Sequence, residues 1–200
     1  MEEQNKINIK HNHSGGDYVK INMRDLTGTM WDDCRTPVNA IKINKDKPPT
    51  WVSYMGSEVL SFADQAIAGN EESVEFTVQL PHSYKEGSSL RPHIHWLAED
   101  NTAGNARWQL TYAWANLNGI FATSSETITA AAPAVANKHT FSEFTPINGD
   151  GKLASSILLG SLKRKSSEAT DTLDGKNAYF LEFDIHYVMD SIGSKTDLNK

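Results

Sequence analysis

The sequence predicts an all-β fold, a jelly-roll-like antiparallel β-sandwich with an extended N-terminal arm, and three observations carry that expectation. Apolar and polar residues alternate with a period of two in three long segments, the mark of half-buried strands. Clusters rich in Gly, Asn and Asp, such as "EDNTAGN", "NLNG", "NGDGK" and "TLDGKN", punctuate the chain as turns do between strands. The one candidate helix, around "AAAPAVANK", is interrupted by Pro133, which lacks the amide that a helix interior needs.

In chain order, residues 1–66 are polar, weakly periodic and broken by "SGG" and "DKPPT". They read as an attachment arm, with "NAIKI" and "TWVSYM" as isolated short strands, that orders by lying on something else. Residues 67–200 read as the sandwich body. "SVEFTVQL" places Val74, Phe76, Val78 and Leu80 on one face. "RWQLTYAW" places Trp108, Leu110, Tyr112 and Trp114 on one face and Arg107, Gln109 and Thr111 on the other. "AYFLEFDIHYV" sets Tyr179, Leu181, Phe183, Ile185 and Tyr187 inward, with Glu182, Asp184 and His186 opposite. "LRPHIHWLA", "GIFATSSETITA", "KHTFSEFTPI" and "ASSILLGSLKRK" are weaker strands. Tyr84 and Trp96 suit the core or its rim; exposed, they would suit gripping a carbohydrate or a neighbouring subunit.

Two hundred residues suffice for a core without disulfides, and the single cysteine, Cys34, allows neither an intrachain disulfide nor a Cys-rich zinc site. Cys34 lies in "WDDCRTP" and reads as a small filler rather than a nucleophile. A net charge of −6 opposes binding to nucleic-acid phosphates, and Lys163-Arg164-Lys165 reads as a solvated strand end. The pairs Asp32-Asp33, Glu71-Glu72 and Glu99-Asp100 read as loop solvation. No apolar run reaches the ~20 residues of a membrane-spanning helix, and the polar N-terminus lacks the apolar stretch of a signal peptide. Neither nucleic acid nor membrane is an expected partner. No nucleophile elbow, phosphate-binding loop or dinucleotide fingerprint is found, so the expectation is a non-enzyme with no cofactor.

Two histidine pairs carry the remaining chemistry. In "PHIHW", His93 and His95 share one strand face with Ile94 and Trp96 on the other, an arrangement that suits a divalent metal or cross-strand hydrogen bonding. Asp184 and His186 join this pair if the last strand lies beside it. The spacing Gly87, five residues, His93-x-His95, three residues, Glu99 resembles the first cupin motif, which implies a jelly-roll metalloprotein with His93, His95 and Glu99 as ligands. Ala106 stands where that motif has glycine, and the second cupin motif is missing, leaving only His139 or His186 as a fourth ligand.

The other pair opens "HNHSGGDYVKINMRDLTG". His11, His13, Gly16, Asp17, Lys20 and Ile21 resemble a His-x-His-x-Gly-x-Asp segment found near the N-termini of tailed-phage virion proteins, with the glycine shifted by one residue. The body resembles a family of phage structural proteins through "MWDDCRTPV" (30–38), Pro81-His82 with Tyr84-Lys85-Glu86-Gly87, "PHIHW" (92–96) and the terminal stretch Glu182 to Ser194, which opens "EFDIHY" and continues to Asp190, Gly193 and Ser194. The resemblance implies a head fibre, capsid decoration, collar or tail component. It implies a homotrimer in the virion, assembled in the host cytoplasm and attached to capsid, portal, collar or tail proteins through the arm and its six motif residues. It implies no catalytic residue. A carbohydrate-binding module that recognises a host glycan is a further reading.

Overall fold

The computed structural model describes residues 28–193. Among them are eleven strands: β1 (Met30–Pro37), β2 (Lys42–Ile43), β3 (Thr50–Tyr54), β4 (Ser57–Phe62), β5 (Ser73–Gln79), β6 (Arg91–Ala98), β7 (Asn105–Ala115), β8 (Thr123–Ala131), β9 (Thr140–Glu143), β10 (Ile157–Arg164) and β11 (Ala178–Met189). The described helical content is a single 3₁₀ turn at Val38–Ala40. The protein is all-β, and its two antiparallel sheets form a jelly-roll-like sandwich. One sheet runs β3-β4-β11-β6-β9, and β1 continues the edge that β4 begins: β4 pairs Ala178 to Phe180 of β11, β1 pairs Glu182 to Met189. The other runs β2-β5-β10-β7-β8.

The strands of segment 30–62 belong to these sheets, so the boundary at residue 66 does not divide the described residues. The polar texture there has a plain cause. β1 turns Asp33 and Arg35 outward and needs only Cys34 and Thr36 against the core, and β2 contributes just two residues.

Inward residues of both sheets build one core. Trp96, Trp108, Phe62, Phe180 and Phe183 are fully buried, with Phe62 edge-on to Trp108 at 5.2 Å and Phe76 tilted against Phe183 at 4.4 Å. Gly160 makes that second contact possible, since a Cβ there would lie 2.2 Å from the Phe76 ring. The alternation holds in β5 and β7, where Val74, Phe76, Val78, Trp108, Leu110 and Trp114 are all core. In β11 it changes phase. A β-bulge between Phe180 and Glu182 sets Ala178 and Phe180 inward ahead of Phe183, Ile185 and Tyr187, leaving Tyr179 and Leu181 half-buried on the outer face. A period of two cannot register an extra residue.

Three charged residues read as solvated are buried. Arg164 is 0% exposed, and its donors reach Asp171 Oδ1 and Oδ2 (2.8 and 3.0 Å) and the carbonyls of Phe62, Leu173 and Lys176. Inside a strand that alternates inward and outward, the middle residue of "KRK" takes the inward position. Glu72 accepts from the Ala63 amide at 2.7 Å. Glu71 accepts from the Gly69 amide, Ser167 Oγ and Lys165 Nζ. Asp32 and Asp33 lie in β1 rather than a loop.

Arg164→Met leaves Asp171 buried without its cation, and equilibrium denaturation should show a loss of about 3–5 kcal/mol; a loss under 1 kcal/mol would contradict the buried pair. Burial pushes the Glu71 carboxyl up, but hydrogen bonds from Ser167, backbone amides and Lys165 overcome it and hold its pKa at about 2. A folded value below the ordinary 4.5 means stability present above pH 4.5 and lost as pH falls toward 2. Glu71→Gln should therefore cost roughly 3 kcal/mol at neutral pH, with the gap narrowing as urea unfolding is repeated down to pH 3. A constant gap would refute this.

Candidate functional site: a histidine and carboxylate face

The candidate site lies on the outer face of the first sheet. Because Ile94 and Trp96 take core positions in β6, His93 and His95 must point outward. β11 sets Asp184 opposite His93 and His186 opposite Arg91. β1, on the other side of β11, sets Asp33 opposite His186 and Arg35 opposite Asp184. β9 sets Phe141 opposite His95, and its ring stands edge-on to His93 at 5.4 Å. The segment between β8 and β9 reaches the same face, where Asn137 Oδ1 accepts from Tyr54 Oη at 2.8 Å.

His93 Nε2 is in close contact with Asp184 Oδ1 and lies 3.1 Å from His95 Nε2. His95 Nε2 is 3.3 Å from Asp184 Oδ2, and His95 Nδ1 is 2.7 Å from His139 Nε2. His186 stacks near His93, with ring centroids 4.3 Å apart, and its Nε2 meets Asp33 Oδ1 at 2.9 Å. Ligand atoms of His93, Asp184 and His186 all lie within 4.8 Å of one another. His93 and Asp184 are buried, and neither His93 Nδ1 nor Asp184 Oδ1 has a well-aligned hydrogen bond; the close contact of Oδ1 with His93 is an ion-pair contact of poor alignment. Beside the cluster, Arg35 grips Glu182 through two bonds of 2.6 and 2.7 Å, and a hollow of ≈ 380 Å³ opens between Arg35, His139 and Leu181.

The residues of the cupin-like set part company. Glu99 sits at the end of β6, where its carboxylate accepts the Asn177 amide at 3.0 Å, and Asp184 supplies the carboxylate beside His93 instead. His186 joins the cluster, and His139 contacts it through His95. Tyr84 and Trp96 are fully buried, so neither grips a ligand. The thiol of Cys34 is pushed up to about 12, by burial first and then by Asp32 and Asp33, which suits filler and not nucleophile. His11, His13, Gly16, Asp17, Lys20 and Ile21 lie outside the described residues.

A second concave surface lies on the other sheet. It encloses ≈ 640 Å³ and is lined mostly by apolar surface, with Tyr112, Ala113 and Leu159 beside Thr111, Thr123 and Ser161 and the Lys42–Glu75 ion pair at its side.

No protein-family model matches the chain, and no curated protein matches it. Solved structures similar to it include the CBM36-1 domain of a multidomain xylanase from the hindgut metagenome of Trinervitermes trinervoides, at 8% identity and TM-score 0.43 over 77% of this chain and 96% of that one. The C-terminal family 22 carbohydrate-binding module of a Clostridium thermocellum xylanase aligns at 14% identity and TM-score 0.40, covering 76% and 88%. A Paenibacillus cycloisomaltooligosaccharide glucanotransferase aligns at 11% identity and TM-score 0.44 over 74% of this chain, which spans only 17% of that enzyme. Likenesses this distant assign neither family nor ligand.

The electrostatics of the cluster separate its two adjacent histidines. Burial pushes His93 down, but the close contact and charge of Asp184 outweigh it, and the net shift is upward. Burial dominates at His95 and lowers it. With its folded value above 6.5, His93 contributes stability that is full below pH 6.5 and is lost as pH rises through the folded value. In chelator-treated protein, NMR titration should find His93 above and His95 below the ordinary imidazole value. Asp184→Asn should bring His93 below it as well. A His93 titration indifferent to Asp184 would contradict the pairing.

Proposed function

We propose that the chain is a non-enzymatic structural subunit of a tailed-phage virion, a homotrimer that meets its neighbours through the outer face of the β1–β11–β6–β9 sheet. The N-terminal segment that carries His11 and His13 attaches it to the particle. One observation carries the reading: the four body segments that resemble phage structural proteins converge on the C-terminal half of β11. "EFDIHY" is that strand, "MWDDCRTPV" pairs with it on one side and "PHIHW" on the other. "PHSYKEG" closes its end, where the Lys85 amide donates to the Val188 carbonyl at 2.7 Å and Ser83 Oγ meets Tyr187 Oη at 2.9 Å. In that turn Gly87 adopts φ +78°, a conformation that other residues rarely accept. The motif segments thus gather around one strand, and their outward side chains, His93, His95, Asp184 and His186 among them, share one face that suits docking.

Mass spectrometry of purified particles should find the chain, and native mass measurement should find a trimer. A variant lacking residues 1–27 should fold and trimerise yet fail to copurify with particles. A monomeric full chain, or a truncated body that still docks, would overturn the reading.

The concave surface on the second sheet favours a second reading, a host-glycan site on the same subunit, since an apolar floor with Tyr112 and a few Thr and Ser side chains suits the mixed faces of a sugar. Oligosaccharide titration followed by NMR would place shifts at Thr111, Thr123 and Ser161 if it holds, and would leave those residues unmoved if it does not.

A further inference from the structure

We infer that a divalent transition-metal ion of the Zn²⁺ class binds on the outer face of the first sheet, held by His93, Asp184 and His186, with His95 packed against the His93 and Asp184 side of the site. The inference stands apart from the virion reading and needs only the fold. The donor set is imidazole with one carboxylate, the combination such ions prefer. The spacing fits as well. Bonds of about 2.0–2.1 Å to a tetrahedral ion place neighbouring ligand atoms about 3.3 Å apart. Ligand atoms of His93, Asp184 and His186 all lie within 4.8 Å of one another, so shifts of about an ångström bring the three onto one ion.

Two further observations point to a cation. Cross-strand hydrogen bonding alone leaves Asp184 Oδ1, a carboxylate oxygen buried at the centre of the cluster, without an aligned donor. An ion between the rings satisfies that oxygen and removes the need for one histidine to donate to another. Asp33 Oδ1 meets His186 Nε2 at 2.9 Å, the kind of contact that orients a metal-bound imidazole and leaves its other ring nitrogen for the ion. All three core ligands sit on two adjacent, fully paired strands, so little ordering is needed on binding. The ion would staple β6 to β11.

The test uses the full chain stripped with chelator at pH 7.5, titrated with Co²⁺ as the spectroscopic probe and then with Zn²⁺. The expected result is one equivalent of Co²⁺ with visible d–d absorption, displacement by Zn²⁺, and a rise in thermal midpoint with either ion. His186→Gln alters a side chain that is 36% exposed and should leave the fold intact by circular dichroism while weakening Co²⁺ binding tenfold or more. Asp184→Asn should do the same. Glu99→Gln and a His11→Ala, His13→Ala double change should bind as the native chain does. No saturable Co²⁺ signal in the native chain would overturn the inference. So would binding that survives His186→Gln and Asp184→Asn, or that is lost in the double change.

Discussion

A fully buried guanidinium organises the sandwich. Arg164, at the end of β10 in one sheet, donates to the Phe62 carbonyl at the end of β4 in the other. It also donates to Asp171, Leu173 and Lys176, which lie along the connection into β11. Five hydrogen bonds exhaust its five N–H groups, the condition under which a buried cation is tolerated. Lysine could not replace it, because its three donors radiate from one point and cannot fork around a carboxylate while reaching three carbonyls. The same Asp171 carboxylate accepts the Arg107 amide of β7, so the cage touches both sheets and the final connection at once.

That constraint reaches the functional face through register. β11 begins at Ala178, two residues after the last carbonyl of the cage, and pairs at once with Phe62 and Ala98. The bulge at Leu181 then shifts its phase, so that Phe183 and Ile185 enter the core and Asp184 and His186 face outward. A slip of one residue would turn the carboxylate from the polar cluster into the apolar core and turn Phe183 outward. His93 and Asp184 meet because the core fixes what lies on the opposite face of the same strands. The polar cluster is in this sense a product of the packing beneath it, and the burial of His93 and Asp184 at its centre makes it unlike an ordinary wet sheet surface.

How much of this the sequence discloses follows from which patterns are local. The strands β5 and β7 are legible because their alternation is uninterrupted, and in the weaker signal of β6 the outward direction of His93 and His95 follows from Trp96 alone. Asp184 and His186 are legible as partners only on the condition that the last strand neighbours β6, since strand order is not written in any window of residues. The bulge, the inclusion of 30–62 in the sheets, and the burial of Arg164, Glu71 and Glu72 escape for a shared reason. Each depends on a distant partner: Arg164 on Phe62 and Asp171, Glu71 on Ser167, β1 on β11. Glu99 misleads because its spacing from His95 suits a ligand while its place at the strand end does not.

The proposed virion role requires the outer face of the first sheet to be the surface the molecule uses. Hydroxyl-radical footprinting of the chain, free and assembled in purified particles, reads that surface side chain by side chain. Assembly should protect Trp31, Phe141 and His139, which lie on or beside the cluster, and leave Leu159 and Met55 as reactive as in the free chain. Protection of Leu159 with Trp31 and Phe141 unchanged would place the working surface on the other sheet and contradict the account.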